Sequence, residues 1–165
     1  MAKPVKVGDI QAIEVTPTVT AGAYSANDFV GGKMTFSNAV SLGGQGEFGG
    51  GGVIVSAVVT DEGKQNAALT LVLFDADPTG TTVTDNGAAT VADADLAKII
   101  GTVSLSTYVS FADNSVTSSG ALGLPFKLAL SANDLYGFLM TTGTPTYTST
   151  SDIVVKLGIL QNDRG

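Results

Sequence analysis

The sequence predicts an all-β fold, an antiparallel β-sandwich or jelly-roll-like domain of about eight strands with one short helix. Three observations predict it. Apolar and polar residues alternate in short runs, the period of strands that bury one face. Clusters of Gly, Pro, Asn and Asp separate those runs at close intervals. Only one stretch, near residue 95, reads as a helix.

The elements follow in order. Residues 10–19 place Ile13, Val15, Pro17 and Val19 on alternate positions, and the proline suits an edge strand because it cannot donate to a central ladder. Residues 29–36 form a second run, broken by Gly31 and Gly32. Residues 41–52 contain seven glycines and are expected to be a mobile loop, either a hairpin tip or an arm that orders on a neighbouring subunit. The runs 53–59 and 69–74 are β-branched and apolar, and the polar stretch between them reads as the turn of a long central hairpin. Residues 75–95 form an aspartate-rich surface loop. It leads into a helix capped by Asp93, running to Ile99 or Ile100 and stopped by Gly101. Val103, Leu105, Thr107, Val109 and Phe111 then share one strand face, as do Leu122, Leu124, Phe126, Leu128 and Leu130. Residues 135–141 and 153–160 complete the set. The whole chain, 1–165, reads as a single domain with an N-terminal arm over residues 1–9.

Composition limits the chemistry. There is no His, Cys or Trp, so imidazole, thiol and transition-metal chemistry lack their usual side chains. Only 14% of residues are charged, against about 25% in typical soluble domains, which suits burial against partners. A net charge of -7 with scattered lysines offers no phosphate-neutralising patch, so nucleic acid is not an expected partner. No run reaches the roughly 18 apolar residues of a membrane helix, and residues 1–14, interrupted by Lys3, Pro4, Lys6, Gly8, Asp9 and Gln11, are not expected to act as a secretory signal. The glycine loop lacks the Lys-Ser/Thr of a phosphate cradle, and no Ser-x-x-Lys motif occurs. The acid pairs lie in turns without an aromatic cluster, so glycoside hydrolysis is unsupported. No catalytic residue and no cofactor is assigned.

Three groups remain as candidate sites. Asp75-x-Asp77-x-Thr79-Gly80 matches the start of a calcium loop, but the twelfth position is Asn86. Asp75 and Asp77 are therefore weak metal candidates, and the competing reading is a turn whose carboxylates bond nearby amides. Lys3, Val5, Lys6 and Val7 could add as a strand to a partner's sheet edge or form a frayed terminus. Tyr136, Phe138 and Met140 share one face of their strand and either extend the core or form an oligomer contact.

Several blocks in sequence order carry a family resemblance: the run from Gln65 through Leu69-Thr70-Leu71-Val72-Leu73-Phe74-Asp75-Ala76-Asp77-Pro78, then Thr84-Asp85-Asn86, Ala92-Asp93-Ala94-Asp95-Leu96-Ala97-Lys98-Ile99-Ile100-Gly101, Gly123-Leu124-Pro125-Phe126-Lys127-Leu128 and Leu157-Gly158-Ile159-Leu160-Gln161. The chain resembles small virion proteins of tailed bacteriophages and prophages, among them head decoration or cement proteins. The resemblance covers the C-terminal 60% or so and, more loosely, residues 24–40; the glycine loop is longer than the family's. It implies a non-enzymatic protein on the outer surface of a phage head that binds the major capsid protein across subunit seams. By analogy with other decoration proteins it would be a homotrimer. The alternatives are a receptor- or glycan-binding virion module, using the Thr- and Ser-rich residues 141–151, or a hydrolase.

Overall fold

The computed structural model describes residues 10–40 and 49–161. Ten strands form two antiparallel sheets: β1 (Ile10–Val15), β2 (Phe29–Phe36), β3 (Gly51–Asp61), β4 (Leu69–Phe74), β5 (Ile99–Leu105), β6 (Tyr108–Ser110), β7 (Ser115–Ser119), β8 (Leu124–Lys127), β9 (Leu135–Thr141) and β10 (Ile153–Gln161). The first sheet runs β1-β10-β3-β7-β6, with β8 sharing the β7 side of the long β3; the second runs β2-β9-β4-β5. Pairings β1–β10, β2–β9, β3–β8 and β4–β5 are nested, as in one long hairpin rolled on itself. Rolling it brings β10 against β3 and β9 against β4, which is the jelly-roll arrangement.

Between the sheets lies a core of alternate residues: Ile54, Ala57 and Val59 from β3, Val155, Leu157 and Ile159 from β10, and Leu69, Leu71, Leu73, Leu135 and Leu139 opposite. The alternate positions expected to share a face at Ile13 and Val15, at Val103 and Leu105, and at Phe126 and Leu128 are buried or half-buried.

Several expectations are corrected. β3 and β4 are not a hairpin; they lie in opposite sheets. Both are apolar enough to be central strands, and the loop between them crosses layers with Lys64 and Asn66 at positive φ. The alternation from Val103 to Phe111 likewise spans a sheet switch. Val103 and Leu105 are buried, but Val109 and Phe111 are 60% and 57% exposed. β7 carries no apolar alternation because its inward residues are Ser115 and Thr117. The helix is a 3-10 helix over Asp93–Lys98 with Ala92 at its N-cap, and Gly101 stands inside β5 opposite Leu73. Leu130 is 63% exposed, so the leucine series leaves the core after Leu128.

The glycine-rich segment divides. Residues 41–48 lie outside the described residues. Gly51 and Gly52 are β3 ladder residues, and a Cβ on either would press on the Phe126 or Leu160 carbonyl oxygen at 2.8 or 2.6 Å. These glycines are small because backbones approach closely there, not because the chain is loose.

Candidate interaction surface

The sandwich has two outer faces, and the described residues cover only one. Across the second sheet, residues 75–92 lie as a strap over Phe29, Val72, Phe74 and Phe138, with Val83, Ala89 and Val91 packed down onto them. Phe138 meets Phe29 edge-on at 4.8 Å and Phe74 at 5.5 Å. The strap is fastened by its own aspartates. Asp85 accepts bonds from the Thr20 and Tyr24 hydroxyls at 2.6 and 2.7 Å and from Gly31 N at 2.6 Å. Asp95 accepts from the Thr81 hydroxyl and the Lys98 ammonium, both at 2.7 Å, which holds its carboxyl below the usual carboxylate range, Lys98 contributing most. The Lys98 ammonium also donates to the Asp77 carbonyl oxygen.

The first sheet's outer face has no such cover among the described residues. The register places apolar residues side by side across it. Ile10 pairs with Leu160, Leu160 with Val53, and Val53 with Pro125, a row crossing four strands. At the strand spacing of about 4.8 Å the row spans about 14 Å. A second row runs Val109, Val116, Thr60, Val154. Between them Glu14 and Lys156 pair with each other at 3.0 Å, and Ala12, Gly158 and Ser56 keep the face shallow. Lys127 stands at the β8 rim. The face is thus apolar and close to neutral, while five aspartates of a chain with net charge -7, Asp75, Asp77, Asp85, Asp93 and Asp95, lie on or beside the strap. Large uncovered apolar patches on soluble proteins mark interaction sites.

The candidate residues fall as follows. Lys3, Val5, Lys6 and Val7 lie outside the described residues. Tyr136, Phe138 and Met140 do share a face, the one under and beside the strap. Phe138 is fully buried there by the chain itself, Tyr136 is half-buried with the Lys33 ammonium 5.8 Å from its ring centre, and Met140 is half-buried. Asp77 forms an ion pair with Lys33 at 2.5 Å. The Asp75 amide donates to the Lys98 carbonyl oxygen, and burial pushes the Asp75 carboxyl up. Among the described residues no group of three or more acidic, His or Cys side chains is placed to hold a metal. In residues 141–151 the single aromatic, Tyr147, is buried against Tyr24, so that loop presents no ring for sugar stacking.

The outer-face rows escaped sequence reasoning. Val53, Val58, Val154 and Leu160 look like core residues, because both faces of β3 and β10 are apolar. Their near-continuous hydrophobicity in an antiparallel sheet was the available signal.

The sequence matches no protein-family model, and no curated protein matches it. Among solved structures, a chain of Desmodium yellow mottle tymovirus overlays 98% of this chain and 86% of its own length at 10% identity and a TM-score of 0.30. A chain from full particles of Israeli acute paralysis virus heated to 63 degrees overlays 95% of this chain and 72% of its own length at 10% identity and a TM-score of 0.33.

Proposed function

We propose that the protein is a structural virion component that binds the outer surface of a tailed-phage head across capsid-subunit seams and stabilises the shell without catalysis. Its partners are the major capsid protein and further copies of itself, as a homotrimer. The observation that carries this reading is the uncovered, near-neutral apolar face of the first sheet. A protein with no partner gains nothing from leaving Ile10, Leu160, Val53 and Pro125 in one row under water, since burial of apolar area stabilises by roughly 25 cal/mol per Å². The placement of the acids supports an orientation in which the first sheet meets the shell and the strap faces solvent. Jelly rolls also host lectins and cupins, so the fold alone does not decide. The resemblance in residues 65–161 and the buried Tyr147 favour adhesion to protein over sugar.

Binding selective for the closed shell must be lost before the shell opens, so it adds to shell stability. Trimer linkage multiplies weak single contacts by about 10² to 10⁴. The test is to add purified protein to heads made without it and to measure their thermal rupture. Restored stability is expected with the natural chain, and none with Val53→Lys or Leu160→Lys. Both variants change half-exposed positions and should keep folding stability within about 0.5 kcal/mol. Equal head binding by the lysine variants would refute the face assignment. Unchanged head stability with and without the protein would refute the decoration role.

A further inference from the structure

One end of the sandwich holds a cluster of buried polar side chains that the adhesion reading does not use. Three buried oxygens there have no hydrogen-bond partner: Asp61 Oδ1, Ser115 Oγ and the Tyr147 hydroxyl. Asp61 and Ser115 stand directly opposite each other on β3 and β7, both facing inward and no more than 2% exposed. Asp61 exerts the strongest charge effect on the Tyr147 phenol, which burial and that charge hold well above its ordinary range. The register across β3 and β7 and the Asp61 charge felt by Tyr147 place these three unpartnered groups in one neighbourhood.

A second carboxylate joins them. Asp152 is 4% exposed, and its charge and that of Asp61 act on one another. Asp152 Oδ2 accepts from the amides of Thr148 and Ser149, and Asp61 Oδ2 accepts from the Asn66 amide. Each carboxylate therefore organises a loop with one oxygen. Gly63 leaves room between them: a Cβ there would stand 2.9 Å from Asp152 Oδ2 and 3.6 Å from Asp61 Oδ1. No described lysine pairs with either acid. Lys64, the nearest in sequence, directs its ammonium to the carbonyl oxygens of Phe111 and Ala112. Buried carboxylates without a cationic side chain call for another positive charge, and hydroxyl and carboxylate oxygens are the donors hard cations take.

We propose that Asp61 Oδ1, Ser115 Oγ and the Tyr147 hydroxyl, with Asp152 beside them, bind a hard, oxygen-preferring cation of the calcium class, pinning the 62–66 and 148–152 loops to the end of β7. A single water would satisfy the same three oxygens, but two nearby carboxylates favour a cation in that place. The site is independent of the shell-binding face and is tested on the free protein.

The chain has no Trp, so terbium bound at this cluster is sensitised by tyrosine alone. The experiment adds terbium to the EDTA-treated full chain, reads sensitised emission, competes it with calcium, and follows the melting temperature with calcium, magnesium or sodium. Expected are emission displaced by calcium, a saturable calcium-dependent rise in melting temperature, and loss of both in Asp61→Asn and in Gly63→Ala, whose methyl group occupies the space. Ser115→Ala is the second probe should either variant fold poorly, and it should weaken calcium binding. Two results would overturn the proposal: terbium emission undiminished in these variants, which would place the ion at surface acids, or no cation effect on the natural chain, which would leave a water or a proton at the cluster.

Discussion

Phe138→Ala separates two roles for one strand face. Phe138 is 1% exposed, with Phe29 edge-on at 4.8 Å and Phe74 at 5.5 Å. Phe→Ala in a core costs about 3–5 kcal/mol, the larger values arising where the surroundings cannot collapse. Here the cover is pinned: Asp85 ties the strap to Thr20, Tyr24 and Gly31, and the Gly87 and Phe29 backbones are also bonded. The edge-on ring pair adds about 0.5–1.5 kcal/mol beyond area. A loss of about 4–5 kcal/mol is therefore expected, about a quarter or more of a typical domain's about 5–15 kcal/mol. Urea unfolding should show it as a lowered midpoint at unchanged slope, and the melting temperature should fall by about 8–20 °C. Limited proteolysis should find residues 75–92 cut earlier. A stability loss under about 1 kcal/mol together with a changed oligomeric state would refute the packing argument and return Phe138 to an interface.

Three further predictions test other parts of the fold. Burial, then the Asp152 charge, pushes the Asp61 carboxyl above the usual carboxylate range despite amide bonds that lower it; the stabilisation from its proton is present in acid and lost as pH rises through the raised value. In EDTA, Asp61→Asn should therefore gain stability relative to the natural chain as pH rises above the ordinary carboxylate range, and a pH-independent difference in urea midpoints would contradict this. The Asp95 carboxyl is lowered by Lys98 and Thr81, so its contribution is present above the ordinary carboxylate range and lost as pH falls through the lowered value. Asp95→Asn should flatten the acid limb of the melting curve, and an unchanged limb would exclude the Lys98 pairing as its cause. Gly49 sits at φ +70, where a Cβ would collide with the Leu128 carbonyl oxygen. Gly49→Ala should cost more than the about 1–2 kcal/mol of the left-handed conformation alone, read by calorimetry.

Alternation of side chains sets which residues face inward, and that is a local property. It therefore made Ile13, Val15, Val103, Leu105, Phe126 and Leu128 legible as residues of a shared strand face before any strand was paired, while on β9 the face singled out was that of Tyr136, Phe138 and Met140 and the one turned to the core is that of Leu135 and Leu139. Composition likewise disfavoured imidazole and thiol chemistry, because it depends on side chains the chain does not contain. Pairing is not local. Val53–Val59 and Leu69–Phe74 look alike as apolar runs, and only tertiary contacts put them in opposite sheets. Alternation also continues unbroken where the chain changes sheets between Leu105 and Tyr108. The polar strand Ser115–Ser119 had no hydrophobic signature, since its inward side chains are those of Ser115 and Thr117.

The surface and the polar cluster were decided by assembly in three dimensions. An apolar residue such as Leu160 is core or surface according to whether something lies over it, and among the described residues the 75–92 strap covers the second sheet and nothing covers the first. Asp61 and Asp152 are ordinary loop acids in the sequence. They become a pair because β10 enters its ladder opposite the end of β3, a neighbourhood set by long-range register across 91 positions that local propensity does not encode.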